Sequence, residues 1–298
     1  MQILTSILTL VSLLTSLVGN LSQNLTKEVP ISRAAAQIEE QKPPFANIKA
    51  RALYIADAKT SEPILSYNAQ KNWPIASLTK VMTAVVLMEQ NPNLNKMIAL
   101  EAEDFVGGTQ LKFPAGTGFS ARDLLHAMLM SSANNAAAAL ARSGTDLTYA
   151  QFLAKMNDKA RELGLKNTRF ADTSGLNPEN QSTPEEYAKI ISYATENKTI
   201  REVMQTTYYA AQPNGRGSLA LGNTNRLLLA PQKFEVIGGK NGNTYGSDYN
   251  VATKVKKGDK ELVVVVFGDE TNNIAYQHSK ELIDKALDGT LPIDKSSE

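Results

Sequence analysis

The chain has 298 residues, 42% of them hydrophobic, with 31 basic side chains against 30 acidic ones and a formal net charge of +1. This length and apolar content suit one large globular domain with an N-terminal extension, and the charge balance, with no dense basic stripe, excludes broad nucleic-acid binding. Cysteine does not occur, which excludes disulfides and thiolate metal sites and removes redox chemistry as a guide to compartment.

Ile3 through Val18 is apolar with Ser and Thr interspersed, and no charge precedes Lys27. It reads as an export signal or a short membrane anchor, giving membrane association through residues 3–18. Lys27 and Arg33 lie downstream, against the positive-inside pattern. Ala34-Ala35-Ala36 resembles a cleavage site but sits far from the apolar run, so cleavage and anchoring both stay open. Residues 1–19 are therefore assigned to the signal or anchor, and 20–44, which ends Lys42-Pro43-Pro44, to a linker. The folded domain is expected over 45–289, and 290–298 is a polar tail with no sign of a further domain after Leu287.

Ala50–Ile55 and Pro63–Tyr67 flank a polar Asp57–Glu62 stretch and predict a hairpin. Trp73-Pro74-Ile75-Ala76 leads into Ser77-Leu78-Thr79-Lys80 and the apolar run Val81–Met88. Pro74 suits the start of a buried helix, on which Ser77 and Lys80, three apart, share a face. A lysine buried there would lose its preference for charge and become a base for the serine. Taken alone, the tetrapeptide is more readily a capping serine and a surface lysine than a catalytic pair. Met130-Ser131-Ser132-Ala133-Asn134-Asn135 interrupts helical patterns over Arg122–Leu129 and Ala136–Ala141, as a polar corner would. His126 falls on the apolar pattern and is read as packed, whereas His278 is read as exposed. Helix is expected from Ser77 to about Ala194. Strands follow at Val236, Tyr249–Val255 and Leu262–Phe267, with a turn at Lys256–Asp259 and a last helix over Ala275–Leu287. Gly238-Gly239-Lys240-Asn241-Gly242-Asn243-Thr244 has the composition of a glycine-rich hairpin turn. Strands at both ends of a helical middle predict an α+β fold with an antiparallel sheet.

SxxK, SxN and KxG in this order form the pattern of penicillin-recognising serine enzymes. With Pro74–Ala84, Asp123-Leu124-Leu125, Ser131–Ala137, Met156-Asn157, Leu163-Gly164-Leu165, Thr168-Arg169-Phe170, Gly175-Leu176, Ser182-Thr183 and Asn223–Leu228, the chain from about Ala50 to Leu287 resembles the low-molecular-mass penicillin-binding proteins, the D-alanyl-D-alanine carboxypeptidases and endopeptidases. The resemblance implies a β-lactamase/DD-peptidase-like fold, a sheet flanked by helices with an all-helical lobe, and a site in the crevice between them. It implies Ser77 as the acylated nucleophile, Lys80 as general base, Ser132 as proton relay and Asn134 as holder of the substrate backbone and of Lys80. Lys240 adds positive charge, and Asn241, Gly242 and Asn243 complete the substrate-binding strand, the N–H groups of Ser77 and Asn243 forming an oxyanion hole. Peptidoglycan stem peptides and β-lactams are the implied partners, with no cofactor or metal, at the periplasmic or extracellular face of the cytoplasmic membrane.

The chain departs from that pattern in two places. Relatives carry Thr or Ser where it has Asn241, and an Arg where it has Ala275; both groups serve the substrate carboxylate. Three readings compete. The first is a DD-peptidase acting through a Ser77 acyl-enzyme. The second is a non-catalytic peptidoglycan-binding relative that lost activity through Asn241 and Ala275. The third is a β-lactamase, against which stands the lack of an acidic motif placed to activate a deacylating water. The absence of a carboxypeptidase-type C-terminal domain leans toward the shorter endopeptidases. Two isolated histidines and no GxSxG motif argue against a zinc peptidase and an α/β-hydrolase.

Overall fold

The computed structural model describes residues 47–291, all within one compact unit, Pro43–Glu298. The signal or anchor at 1–19, the linker at 20–44 and most of the tail lie outside the described residues. In chain order the elements are β1 (Ala52–Asp57), β2 (Pro63–Tyr67), β3 (Trp73–Pro74), a 3-10 turn Ala76–Leu78, α1 (Thr79–Glu89), β4 (Met97–Ala99), β5 (Gly118–Ser120), α2 (Ala121–Leu129), α3 (Asn134–Ser143) and α4 (Tyr149–Glu162). They continue with β6 (Gln181–Ser182), α5 (Pro184–Glu196), α6 (Lys198–Gln205), β7 (Tyr208–Ala211), β8 (Leu219–Gly222), β9 (Glu235–Thr244), β10 (Asp248–Lys257), β11 (Lys260–Asp269) and α7 (Asn272–Asp288).

The central sheet is antiparallel in the order β2-β1-β11-β10-β9, so the first hairpin and the last three strands close into one layer. Side chains alternate between its two faces. Tyr54, Ala252, Val263, Val265 and Phe267 join the core shared with α1 to α6. Leu53, Ile55, Val251, Val264 and Val266 pack in a second core with Leu282 and Ile283 of α7. Covered on both faces, β11 reads Leu-Val-Val-Val-Val-Phe with no polar residue between. The helices start where the sequence offers caps: Ser120, Thr148, Thr183 and Thr271 each accept a first-turn N–H through the side chain.

Three expectations are corrected. The glycine-rich stretch over 238–244 is the second half of β9, and the turn falls after it, at 245–247. Its glycines serve close packing: a Cβ on Gly238 would lie 2.6 Å from Thr195 Cγ2, and one on Gly239 would lie 2.9 Å from Asn225 Nδ2. Helix extends past Ala194 into α6, and a separate hairpin, β7 with β8, follows it. His278 is buried, with its Nδ1 2.6 Å from the buried Asp269 carboxylate; it faces the sheet rather than water. His126 is packed as expected, stacked on Tyr209 with ring centroids 3.7 Å apart. Among the described residues no helix is long and apolar enough to cross a membrane.

Candidate active site

Ser77 sits in the 3-10 turn that runs directly into α1, not on the α-helix itself. Surrounding polar groups fix that turn. The Ile75 N–H donates to the Asn180 carbonyl at 3.0 Å, Asn250 Nδ2 donates to the Pro74 carbonyl at 3.0 Å, and the buried Tyr187 hydroxyl donates to the Leu78 carbonyl at 2.8 Å. Ala76 takes φ 49°, a left-handed conformation that costs a residue with a Cβ about 1–2 kcal/mol. Against it packs Gly175, at φ 89°, so close that a Cβ would lie 1.9 Å from the Ala76 carbonyl oxygen.

Lys80, one turn on, is 0% exposed. Its Nζ lies 2.8 Å from Ser77 Oγ and donates to the Ser174 carbonyl at 2.6 Å. Burial above all, and then the nearby positive Lys240, hold this amine well below the ordinary lysine range; the Asp172 carboxylate pulls weakly the other way. A neutral amine donates an N–H to Ser174 and still offers a lone pair to the Ser77 hydroxyl.

Ser132 lies in the corner between α2 and α3 at φ 61°. Lys240 Nζ donates to its Oγ at 3.1 Å and to the Asn241 carbonyl at 2.7 Å. Lys240 is 2% exposed, and burial draws it down to about 7. The strain at Ser132 is held at the place where its hydroxyl meets Lys240, so Ser132→Gly should raise stability by about 1 kcal/mol and slow acylation about 100-fold. Thermal melts and adduct formation measured on the same protein check both signs.

Asn134 begins α3 and is buried. Its N–H donates to the Thr109 carbonyl at 2.7 Å and its Nδ2 to the Gly107 carbonyl at 2.8 Å. The hydrogen bonds of the Lys80 amine go instead to Ser77 and Ser174. Asn241 presents Oδ1 to the Thr224 hydroxyl, which donates at 2.8 Å; the Asn241 Nδ2 is thereby directed away from Thr224. Gly242 lets β9 reach the nucleophile, since a Cβ there would lie 2.7 Å from the Ser77 nitrogen. Asn243 is exposed, on a strand at the edge of the sheet. Ala275 packs wholly inside the core under α7.

The three motifs therefore come together: Ser77 with Lys80, Lys240 with Ser132, and Gly242 against Ser77. Sequence reasoning missed the supports, which are the Ser174 carbonyl, Asp172, Tyr187 and Asn250, whereas Thr224 lies in the marked stretch Asn223–Leu228. Ser174 and Asp172 carry no signal in sequence because one acts through its backbone and the other by folding a loop. Asn225, whose side chain caps the turn after Thr224, lies in a stretch the sequence had marked.

Known proteins resemble this chain in sequence and fold. Residues 35–271 match the family model described as Peptidase_S11, D-alanyl-D-alanine carboxypeptidase. A D-alanyl-D-alanine endopeptidase of Haemophilus influenzae is 35% identical over 241 residues, covering 80% of each chain. The D-alanyl-D-alanine carboxypeptidase DacF of Bacillus subtilis is 30% identical, over 80% of this chain and 62% of its own length. The crystal structure of the Streptomyces K15 DD-transpeptidase superposes with a TM-score of 0.76 at 28% identity, covering 83% of this chain and 99% of that one. With the serine–lysine pair assembled and the match running through most of its length, the chain belongs to the Peptidase_S11 family of D-alanyl-D-alanine carboxypeptidases.

Proposed function

We propose that the protein is a serine DD-peptidase that cleaves D-alanyl peptide bonds of peptidoglycan through a Ser77 acyl-enzyme. The observation that carries this reading is the buried Lys80 amine 2.8 Å from Ser77 Oγ, drawn toward its neutral form. Lys80 takes the hydroxyl proton as Oγ attacks the D-alanyl carbonyl carbon. The oxygen, now negative, receives the backbone N–H groups of Ser77 and Asn243, and Gly242, with no side chain, lets β9 approach the Ser77 nitrogen closely. The C–N bond then breaks, and the leaving amine takes a proton from Ser132, which is replaced by the proton that Lys80 took from Ser77, so that Lys80 is neutral again. Water next attacks the ester, Lys80 accepting its proton and passing it to the Ser77 oxygen as the ester bond breaks, which releases the acid and free Ser77. Asn134, Lys240, Asn241 and Asn243 line the bound peptide. Penicillins acylate the same serine.

The non-catalytic alternative rested on Asn241 and Ala275. Asn241 keeps a donor amide and is oriented by Thr224, and the groups needed for acylation are assembled, so the catalytic reading is favoured. Within it, cleavage of D-alanyl cross-links is the finer reading. Its support is that the Haemophilus influenzae relative and one from Escherichia coli, 28% identical, are both named D-alanyl-D-alanine endopeptidases. An enzyme of peptidoglycan works outside the cytoplasm, which fits the export role read for residues 1–19.

The test is to incubate the protein with a fluorescent penicillin, digest it and map the adduct by mass, then supply pentapeptide and cross-linked muropeptides separately. An adduct on Ser77 and loss of the cross-linked dimer support the finer reading, whereas D-alanine release alone supports a carboxypeptidase. An adduct elsewhere, or none together with both substrates intact, overturns the catalytic reading. Rapid turnover of penicillin would favour the β-lactamase reading.

The pH dependence follows from the two lysines. Acylation needs Lys80 without its proton, so the rate should fall toward acid as Lys80 becomes protonated. It also needs the Lys240 charge, which is lost as pH rises through about 7. The free enzyme should therefore show a bell with its alkaline limb near neutrality. Lys240→Arg, which stays charged, should move that limb upward. An alkaline limb that stays in place in the arginine variant would assign it to another group.

A further inference from the structure

Asp172 lies outside the three motifs, yet four donors of one tight loop converge on its carboxylate. Oδ1 accepts the Ser174 N–H at 2.8 Å, the Ser174 hydroxyl at 3.3 Å and the Gly175 N–H at 2.5 Å; Oδ2 accepts the Asn177 N–H at 2.7 Å. This loop touches the reacting groups at two points. The Ser174 carbonyl receives the Lys80 amine at 2.6 Å, and Gly175 seats against the Ala76 carbonyl and the Ser77 nitrogen. A loop that must turn through φ 89° at Gly175 while offering a carbonyl to a buried amine needs its own N–H groups satisfied from within, and the carboxylate does this.

We propose that Asp172 is a positioning residue for acylation: it shapes the 172–177 loop so that the Ser174 carbonyl holds the Lys80 amine against Ser77. Two charged groups act on Lys80 from the elements packed around it, Lys240 from β9 and Asp172 from this loop, with opposite effects; the α2–α3 corner contributes the uncharged Ser132. Asp172 opposes burial and Lys240 in part, so the acid limb of the reaction depends on Lys80 together with both charged neighbours.

The inference rests on the acyl-enzyme reading above. Its test measures the rate of Ser77 acylation by a fluorescent penicillin from pH 5 to 10 in the wild type, Asp172→Asn and Asp172→Glu, with thermal melts alongside. Asn keeps an acceptor for the Ser174 and Gly175 N–H groups and removes the charge. It should move the acid limb to lower pH and make acylation at the acid end several-fold faster relative to each protein's own maximum. Glu keeps the charge with a displaced carboxylate, so its limb should stay at the wild-type position while the maximum drops about tenfold. Loss of rate in the Asn variant by the same factor at every pH, or a Glu limb displaced like that of Asn, would reduce Asp172 to a structural loop residue and overturn the inference. If Asn does not fold, the Glu limb decides. A wild type that takes no label at Ser77 would overturn the acyl-enzyme reading and this inference with it, an outcome distinct from a labelled wild type with an unmoved limb.

Discussion

Lys80→Met is expected to abolish covalent labelling by penicillin on the assay timescale and, at pH 7, to raise the melting temperature. Without a base the Ser77 hydroxyl is a weak nucleophile, and a positioned base contributes about 10²–10⁴ in rate. Nucleophile and base act as a unit, so Ser77→Ala and the Ser77→Ala, Lys80→Met pair should lose the same activity as the single lysine change. The rise in stability comes from linkage. The folded protein holds this lysine well below its ordinary value, chiefly by burial. Below its ordinary value the unfolded chain therefore holds this proton more tightly than the folded state does, and the lysine opposes folding. That penalty shrinks as pH rises toward the unfolded lysine value of about 10.4 and vanishes above it. Methionine fills a similar volume without the penalty, at the cost of leaving the Ser174 carbonyl without the Lys80 donor. The advantage of the methionine variant should therefore be largest near pH 7 and fade toward pH 10–11. Melts of both proteins across that range check it, and an advantage that grows with pH would show that Lys80 is charged in the fold.

Gly175→Ala should cost about 3 kcal/mol or more and slow acylation at least 100-fold. Two penalties add at this position. The backbone is at φ 89°, where a Cβ is strained, and the Cβ would meet the Ala76 carbonyl oxygen at 1.9 Å and the Ser77 nitrogen at 2.8 Å. Backbone atoms cannot rotate away as a side-chain tip does, so either the 172–177 loop lifts off Lys80 or the Ser77 turn shifts. Either movement spoils the geometry of attack, where about 1 Å is worth about 100-fold. Gly164→Ala is the control: it has φ 71° but nothing within 4 Å of its Cβ. It should cost about 1 kcal/mol and leave acylation unchanged. Denaturant melts and labelling rates of the two variants separate backbone strain from the clash at the nucleophile.

Much of this was legible without a structure. The hairpin over 50–67, the buried helix after Ser77, the Ser132 corner, the three C-terminal strands and the last helix all follow from local patterns: alternation, an unbroken apolar run, capping residues, and glycine or lysine turns. These signals lie within a few residues of the element they specify. Ser77, Lys80, Ser132 and Lys240 were singled out through the resemblance that the three motifs carry in order, and the structure brings Ser77 to Lys80 and Lys240 to Ser132.

What the sequence could not decide depends on contacts between distant segments. The glycines over 238–242 resemble a turn in one dimension. They become strand residues because β10 pairs alongside them and because Thr195, Asn225 and Ser77 press against their missing Cβ atoms. His278 lies in a polar stretch, yet Asp269 waits beneath it at the end of β11. Nothing local says which of the two lysines is the base; burial and the loop that carries Ser174, about 90 positions beyond Lys80, set it. Local sequence determined the elements and the reactive side chains. Tertiary packing alone decided the protonation, the register of the nucleophile and the loop that holds it, because desolvation and close approach are properties of the assembled interior.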